Sequence, residues 1–114
     1  MNYQFNLDGI VIPKFLMDDD RYKDIGVMAM FLYGVMLDRF LESIRKGIKD
    51  DDNNSYFVMG RQDIADVLKC DIKTAIKIVN ELKKYKLIND KRKSRKLSYI
   101  YILMNDNVHI GDGE

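Results

Sequence analysis

Four polar side chains between residues 73 and 80 could together read the edges of DNA base pairs. Their types suit that chemistry: a lysine ammonium donates to guanine, an asparagine amide pairs with adenine through two hydrogen bonds, and a threonine methyl group packs on thymine. They recur about once per helical turn, which would place them along the exposed side of a helix. The sequence therefore predicts a base-reading set formed by Lys73, Thr74, Lys77 and Asn80.

A larger group of basic residues surrounds this set. Between Lys69 and Lys96 the chain has 11 basic and three acidic residues, a net charge of +8, so the remainder carries −7. Charge segregated in this way makes one surface positive, as expected of a nucleic-acid binder with a defined docking face. The alternative is that these side chains only keep the surface solvated. The candidates for contacts with the DNA backbone are Lys69, Lys84, Lys91, Arg92, Lys93, Arg95 and Lys96.

Two helices across a tight break must position the base-reading set. The first is predicted over residues 61–69, and Asp71 can cap the second, which continues through Tyr85. The apolar side of the second helix is expected to be buried and consists of Ile72, Ala75, Ile76, Val79 and Leu82. The exposed side of this helix is predicted to contain Glu81 and Lys84 as well as the four base-reading residues. A short helix and a longer helix in this order predict a helix-turn-helix.

A basic hairpin follows the helix-turn-helix. Residues 87–92 and 97–104 are rich in residues that favour strands, and Lys93-Ser94-Arg95-Lys96 separates them. A hairpin at this place is a wing, whose cations can reach phosphates or a neighbouring minor groove. The predicted fold class is therefore α+β, a winged helix-turn-helix with an added N-terminal extended segment.

The first half of the chain is predicted to supply the core and a contact between subunits. A helix over Val27–Lys46 carries an apolar stripe expected to face the core: Phe31, Leu32, Val35, Met36, Phe40 and Ile44. A short strand is expected over residues 55–59. The N-terminal segment is a candidate homodimer surface because of Phe5, Leu7, Ile10, Val11, Ile12, Phe15 and Leu16. The alternative is that these residues cover one end of the monomer's own core.

The expected organisation is a single domain with short extensions. Residues 1–21 form an arm, residues 22–104 the winged helix, and residues 105–114 a flexible tail or the start of a linker. With 46% hydrophobic and 32% charged residues, 114 residues suffice for one domain. The longest uncharged apolar run, Ile25 to Leu37, is shorter than the roughly 20 residues of a membrane-spanning helix. Without a signal-peptide pattern, a cytoplasmic protein that makes no membrane contact is expected.

The sequence lacks the residues that several kinds of chemistry require. Cys70 is the single cysteine and His109 the single histidine, so no disulfide within the chain and no structural zinc site is expected. Neither a phosphate-binding loop nor a dinucleotide motif precedes any predicted helix. Asp18, Asp19 and Asp20 have no partner motif that would make them catalytic. We therefore expect no enzyme activity, no catalytic residues, no metal and no cofactor.

Several segments resemble the N-terminal domain of the RepA_N family of plasmid replication initiators. The most specific is LYGVMLDRF (Leu32 to Phe40), followed by IADVLKC (Ile64 to Cys70), AIKIVNEL (Ala75 to Leu82), KLI (Lys86 to Ile88) and IPKFL (Ile12 to Leu16). The resemblance implies a winged helix that binds repeated origin sequences as a homodimer and starts plasmid replication in the bacterial cytoplasm. It also implies a separate C-terminal domain. The wing tip departs from the family's pattern because it lacks the usual glycine and proline.

Three functions fit these observations. The preferred hypothesis is sequence-specific binding of double-stranded DNA at repeated origin sites by a plasmid-type initiator, with host replication proteins as further partners. The closest alternative is a winged-helix transcriptional regulator of a mobile element, which would use the same residues on promoter DNA. A third is a protein-docking winged helix in replication, whose basic face meets an acidic partner. The target sequence and the choice between initiator and repressor stay open at this stage.

Overall fold

The helix-turn-helix continues directly into a β-hairpin in the computed structural model, which describes residues 8–108. Helix α1 (Phe15–Asp18) and a 3₁₀ turn (Asp20–Tyr22) precede the long helix α2 (Val27–Lys46). Strand β1 (Phe57–Gly60) leads into α3 (Arg61–Leu68) and α4 (Ile72–Lys84). Strands β2 (Ile88–Arg92) and β3 (Leu97–Ile102) close the fold. The predicted α+β winged helix is confirmed.

The three strands form one antiparallel sheet in the order β1-β3-β2. Phe57 lies opposite Ile100, and Ile88 lies opposite Ile102. Since side chains alternate along a strand, Ile100 and Ile102 point into the core while Tyr99 and Tyr101 point to the other side. The pairing of β1 with β3 places the start of the helix-turn-helix beside the base of the hairpin.

The helix ends follow from local chemistry. Helix α2 ends at Gly47, whose φ of 70° is left-handed and costs little without a side chain. Asp71 caps the start of α4, where its Oδ1 accepts from the Thr74 backbone N–H at 2.8 Å. At the start of α3, the Asp63 carboxylate accepts from the Gly60 N–H at 3.1 Å. These ends lie within one residue of those predicted.

Helix α2 supplies the centre of the core. Leu32, Tyr33 and Met36 have no exposed surface, and they pack with Met59, Ile64, Ala65, Ala75, Leu82, Leu87, Ile88 and Ile100. Phe40 is also buried, and Val35 and Ile44 pack against this cluster as half-buried side chains. No helix within residues 8–108 is long and apolar enough to span a membrane.

Phe31 does not belong to the core, so this part of the predicted stripe is wrong. Its side chain is 39% exposed, whereas its neighbour Leu32 is fully buried. Helix α2 has apolar residues on nearly every side, and one residue corresponds to a rotation of about 100°. Periodicity alone therefore cannot decide which side of α2 faces the core.

The N-terminal segment is extended only in part. Residues 10–12 cross the outer side of α2, where the carbonyl oxygen of Val11 would lie 3.1 Å from a Cβ built on Gly34. The chain then turns helical at Phe15, and Leu16 is buried in the core. Glycine at position 34 thus permits a close approach of two backbone segments. Phe5 and Leu7 lie outside the described residues, as does His109.

Candidate nucleic-acid interface

Helix α4 presents one polar side to solvent. Lys73, Lys77 and Asn80 are exposed along it, and Lys84 continues the row at the last residue of the helix. Thr74 is half-buried at the margin of this side, where it hydrogen bonds the Asp71 carboxylate. Hydrogen bonds from Thr74 lower the pKa of Asp71 below its ordinary value. The structure thus brings three of the four predicted base-reading residues together and gives Thr74 a capping contact.

Two isoleucines of α4 are exposed, contrary to the predicted apolar side. Ile72 is 37% and Ile76 38% exposed, while Ala75 and Leu82 are buried. The helix packs against the core through Ala75 and Leu82, and Ile78 and Val79 are partly buried beside them. Ile76 lies at the edge of this contact, next to an open cleft.

Glu81 does not belong to the exposed polar side as predicted. Its Oε2 accepts a hydrogen bond of 2.7 Å from the backbone N–H of Gly26, the N-cap of α2. A helix N-terminus carries unpaired N–H groups and partial positive charge, which suits a carboxylate. Glu81 therefore links α4 to the start of α2 and helps to fix the orientation of the polar side of α4.

The wing, defined here as β2, residues 93–96 and β3, is braced at its tip by its own side chains. The Ser94 hydroxyl accepts from the backbone N–H groups of Lys96 and Leu97 at 3.3 and 3.2 Å. The Arg92 guanidinium donates to the carbonyl oxygens of Ser94 and Arg95, each at 3.2 Å. These bonds stabilise a tip that has neither glycine nor proline.

The basic residues of the wing divide between two opposite sides. Arg92, Arg95 and Lys96 line a cleft of about 220 Å³ that α4 closes with Ile76 and Asn80. Lys91 and Lys93 face the other side of the sheet, where the Lys93 ammonium lies 4.7 Å from the centre of the Tyr99 ring. The five predicted wing contacts are thus not equivalent.

Arg61 is a further cation of the cleft that was absent from the predicted set. It is the first residue of α3, and Gly60 before it pairs with Leu97 of β3. That pairing sets the start of α3 against the wing, so a residue that lies outside the basic run in sequence joins the wing cations in space. The sequence contained one indication of this role, because Arg61 is a basic residue in the first turn of the helix-turn-helix.

Gly60 is required by the close approach of α3 to the wing. A Cβ built at this position would lie 2.4 Å from the backbone carbonyl oxygen of Lys96, closer than any real contact. Any larger residue must therefore displace the wing relative to α3. Glycine here fixes the width of the cleft.

The opposite side of the sheet combines aromatic and acidic groups. The rings of Tyr56 and Tyr99 stack at 3.9 Å, and the Tyr101 hydroxyl donates to Asp50 Oδ2 at 2.8 Å. Partial burial and the Asp50 hydrogen bond raise the pKa of Tyr101 to about 12. Asp50, Asp51 and Asp52 are thereby held on this side. Lys49, Lys91 and Lys93 lie among these carboxylates, so the charges on this side are balanced, whereas cations predominate at the cleft.

Two further predicted backbone contacts lie in the helix-turn-helix, Lys69 in the turn between α3 and α4 and Lys84 at the end of α4. Lys69 caps α3 in a left-handed conformation, with φ of 57°, and is exposed. Lys84 lines a shallow groove with Arg21 and Lys86 at the far end of α4. Arg21 itself is held by Asp19 and Asp106, which ties residues 105–108 back to the 3₁₀ turn. The cations thus extend along α4 beyond the cleft.

Comparison with known proteins identifies the family. The family model of the replication initiator protein A (RepA) N-terminus matches residues 10–109. The chain belongs to this RepA N-terminal family. No curated protein sequence matches it significantly.

Solved structures resemble this RepA-type domain over most of its length. A structure described as a Rep–DNA complex is 25% identical with a TM-score of 0.72, covering 90% of this chain and 79% of the other. A structure of an MDR initiator is 30% identical with a TM-score of 0.65, covering 85% and 79%. An N-terminal domain of a DNA-binding protein, 24% identical with a TM-score of 0.71, shares the fold over 94% of this chain and 89% of the other.

Proposed function

We propose that this RepA-type domain binds double-stranded DNA in a sequence-specific manner as the origin-binding part of a plasmid replication initiator. Helix α4 enters the major groove with Lys73, Lys77 and Asn80 towards the bases. Arg61, Arg95 and Lys96 then contact phosphates from the two sides of the cleft. The observation that carries the proposal is that the polar side of α4 borders a cleft lined by four cations and one carboxylate, whereas the opposite side of the sheet carries lysines and carboxylates in equal number.

The proposal is tested by binding-site selection from a pool of random duplexes with the whole chain. We expect a single consensus sequence, bound more tightly than a random duplex at every salt concentration. Lys77→Ala should cost about 1–3 kcal/mol and relax the preference at one base pair. Equal affinity for the selected and the random duplex would contradict sequence-specific binding, and an affinity independent of salt would contradict DNA binding by the cationic cleft.

The same proposal includes a homodimer on repeated sites, because one winged helix reads only about half a site. Part of the predicted dimer surface is not available: Leu16 is buried, and Phe15 packs edge-on against Tyr22 and Tyr33 at 5.6 and 6.2 Å between ring centres. Ile10, Val11 and Ile12 remain exposed. They lie over Gly34, on the side of α2 where Phe31 and Leu41 are also exposed. This apolar side is the proposed dimer surface.

Sedimentation velocity of single variants tests the dimer. Val11→Asp introduces a charge at a 74% exposed position of the surface and should yield folded monomers. Met104→Asp is the matched control, since Met104 is exposed two residues after β3 and its replacement should leave the dimer intact. Unchanged association in Val11→Asp would exclude this surface.

The cellular part of the proposal follows from the family. We assign the domain to the bacterial cytoplasm, without a catalytic role of its own, with host replication proteins as further partners. Repeats of the selected consensus beside the coding region support an initiator. A single copy in a promoter would instead support a transcriptional regulator, which uses the same residues.

A further inference from the structure

Ile76 is an apolar side chain among polar ones on the exposed side of α4. It is 38% exposed, and Lys73 and Asn80 lie three residues before and four residues after it. Residues at these spacings share one side of a helix, with Cβ atoms about 5–6 Å apart. Any surface that accepts Lys73 and Asn80 therefore also meets Ile76.

The surroundings of Ile76 define what it can touch. It lines the cleft with Asn80 on its own helix and with Arg95, Lys96 and Leu97 of the wing. The cations at the rim suit phosphates, whereas the isoleucine offers only apolar surface towards the groove. Its partner must therefore be an apolar group displayed within a polar, negatively charged surface.

The base edges of the major groove display one such group, the C5-methyl of thymine. We propose that Ile76 selects a thymine by packing against this methyl group, an inference that rests on the proposed DNA binding. Asn80, one turn further along α4, is suited to an adenine. Because the two side chains are one turn apart, the thymine lies within about two base pairs of the adenine read by Asn80.

The test removes the methyl group from the DNA and the side chain from the protein in turn. Each thymine of the selected duplex is replaced singly by deoxyuridine, and affinity is measured for the wild type and for Ile76→Ala. At one thymine in each half-site, removal of the methyl group should weaken wild-type binding about fourfold. This is the effect expected when one methylene-sized group is no longer buried. In Ile76→Ala the same replacement should change affinity by less than about 1.5-fold, because the contact is already absent.

Ile72→Ala is the matched control, since Ile72 is the same residue type with the same exposure but does not line the cleft. It should keep the full fourfold effect. Circular dichroism of both variants checks that α4 stays folded. If no uridine replacement weakens wild-type binding, or if Ile76→Ala keeps the full effect, the inference is wrong while specific DNA binding stands. If the selection yields no consensus, both the inference and the proposed function are wrong.

Discussion

The Glu81 carboxylate of α4 accepts a hydrogen bond of 2.7 Å from the backbone N–H of Gly26, at the start of α2. The bond joins two residues that are 55 positions apart in sequence. It satisfies one of the N–H groups that α2 cannot pair internally. The helix that is proposed to read DNA is therefore attached to the helix that forms the centre of the core.

Replacing Glu81 by alanine should lower both stability and specificity. Hydrogen bonds to charged, partly buried groups contribute about 1–3 kcal/mol, and the loss should appear in the free energy of unfolding by urea. Affinity for the selected duplex should fall more than affinity for random DNA, because the tilt of α4 is no longer fixed. Glu42→Ala is the control, since Glu42 pairs with Arg45 and Lys46 on the surface and should have little effect. Equal unfolding free energies for both variants would contradict the role of the Gly26 contact.

The two sides of the wing should differ in their contribution to DNA binding. Arg95→Ala with Lys96→Ala removes two cations that line the cleft. If both contact phosphates, the slope of log affinity against log salt should decrease by about 1.8 per domain. Lys91→Ala with Lys93→Ala removes the same charge from the other side and should change the slope much less. Equal slopes for the two double variants would show that the side of the wing on which a cation lies does not affect its contribution to DNA binding.

Neighbouring residues of α2 should respond very differently to truncation. Leu32→Ala creates a cavity in the core and should cost about 2–5 kcal/mol. Phe31→Ala removes a larger side chain, yet its exposure should limit the cost to about 1 kcal/mol or less. Thermal unfolding at low protein concentration, where self-association does not contribute, measures both. A larger loss for Phe31→Ala would reverse our assignment of the buried side.

The Asp71 cap should make part of the stability depend on pH. Its pKa is lowered in the folded state, so its contribution is present above the unfolded pKa of about 3.9 and is lost as the pH falls through the folded value. Wild type should therefore be more stable than Asp71→Ala at pH 7, and the difference should shrink below pH 4. Urea unfolding at pH 7, 4 and 3 measures it. A difference that is the same at all three values would mean that the carboxylate charge does not stabilise the cap.

Local features of the sequence are sufficient to predict most elements and the charge distribution of this protein. These features act locally. Asp71 caps a helix, Gly47 adopts a left-handed backbone conformation, and the run from Lys69 to Lys96 carries a net positive charge. Local interactions are encoded within a few residues, so α2, α3, α4, the hairpin and their order could be predicted, whereas α1 was not. The candidate reading residues Lys73, Lys77 and Asn80 were found in the same way, because one strongly amphipathic helix carries them.

Packing between elements establishes which side of each element contacts which neighbour. Helix α2 is apolar on most sides, so only packing could separate buried Leu32 from exposed Phe31. The pairing of β1 with β3 brings Arg61 to the wing and determines which side of the hairpin faces the cleft. Glu81 turns inward because the start of α2 lies beside it. Such relations depend on contacts between residues distant in sequence, which no local pattern contains.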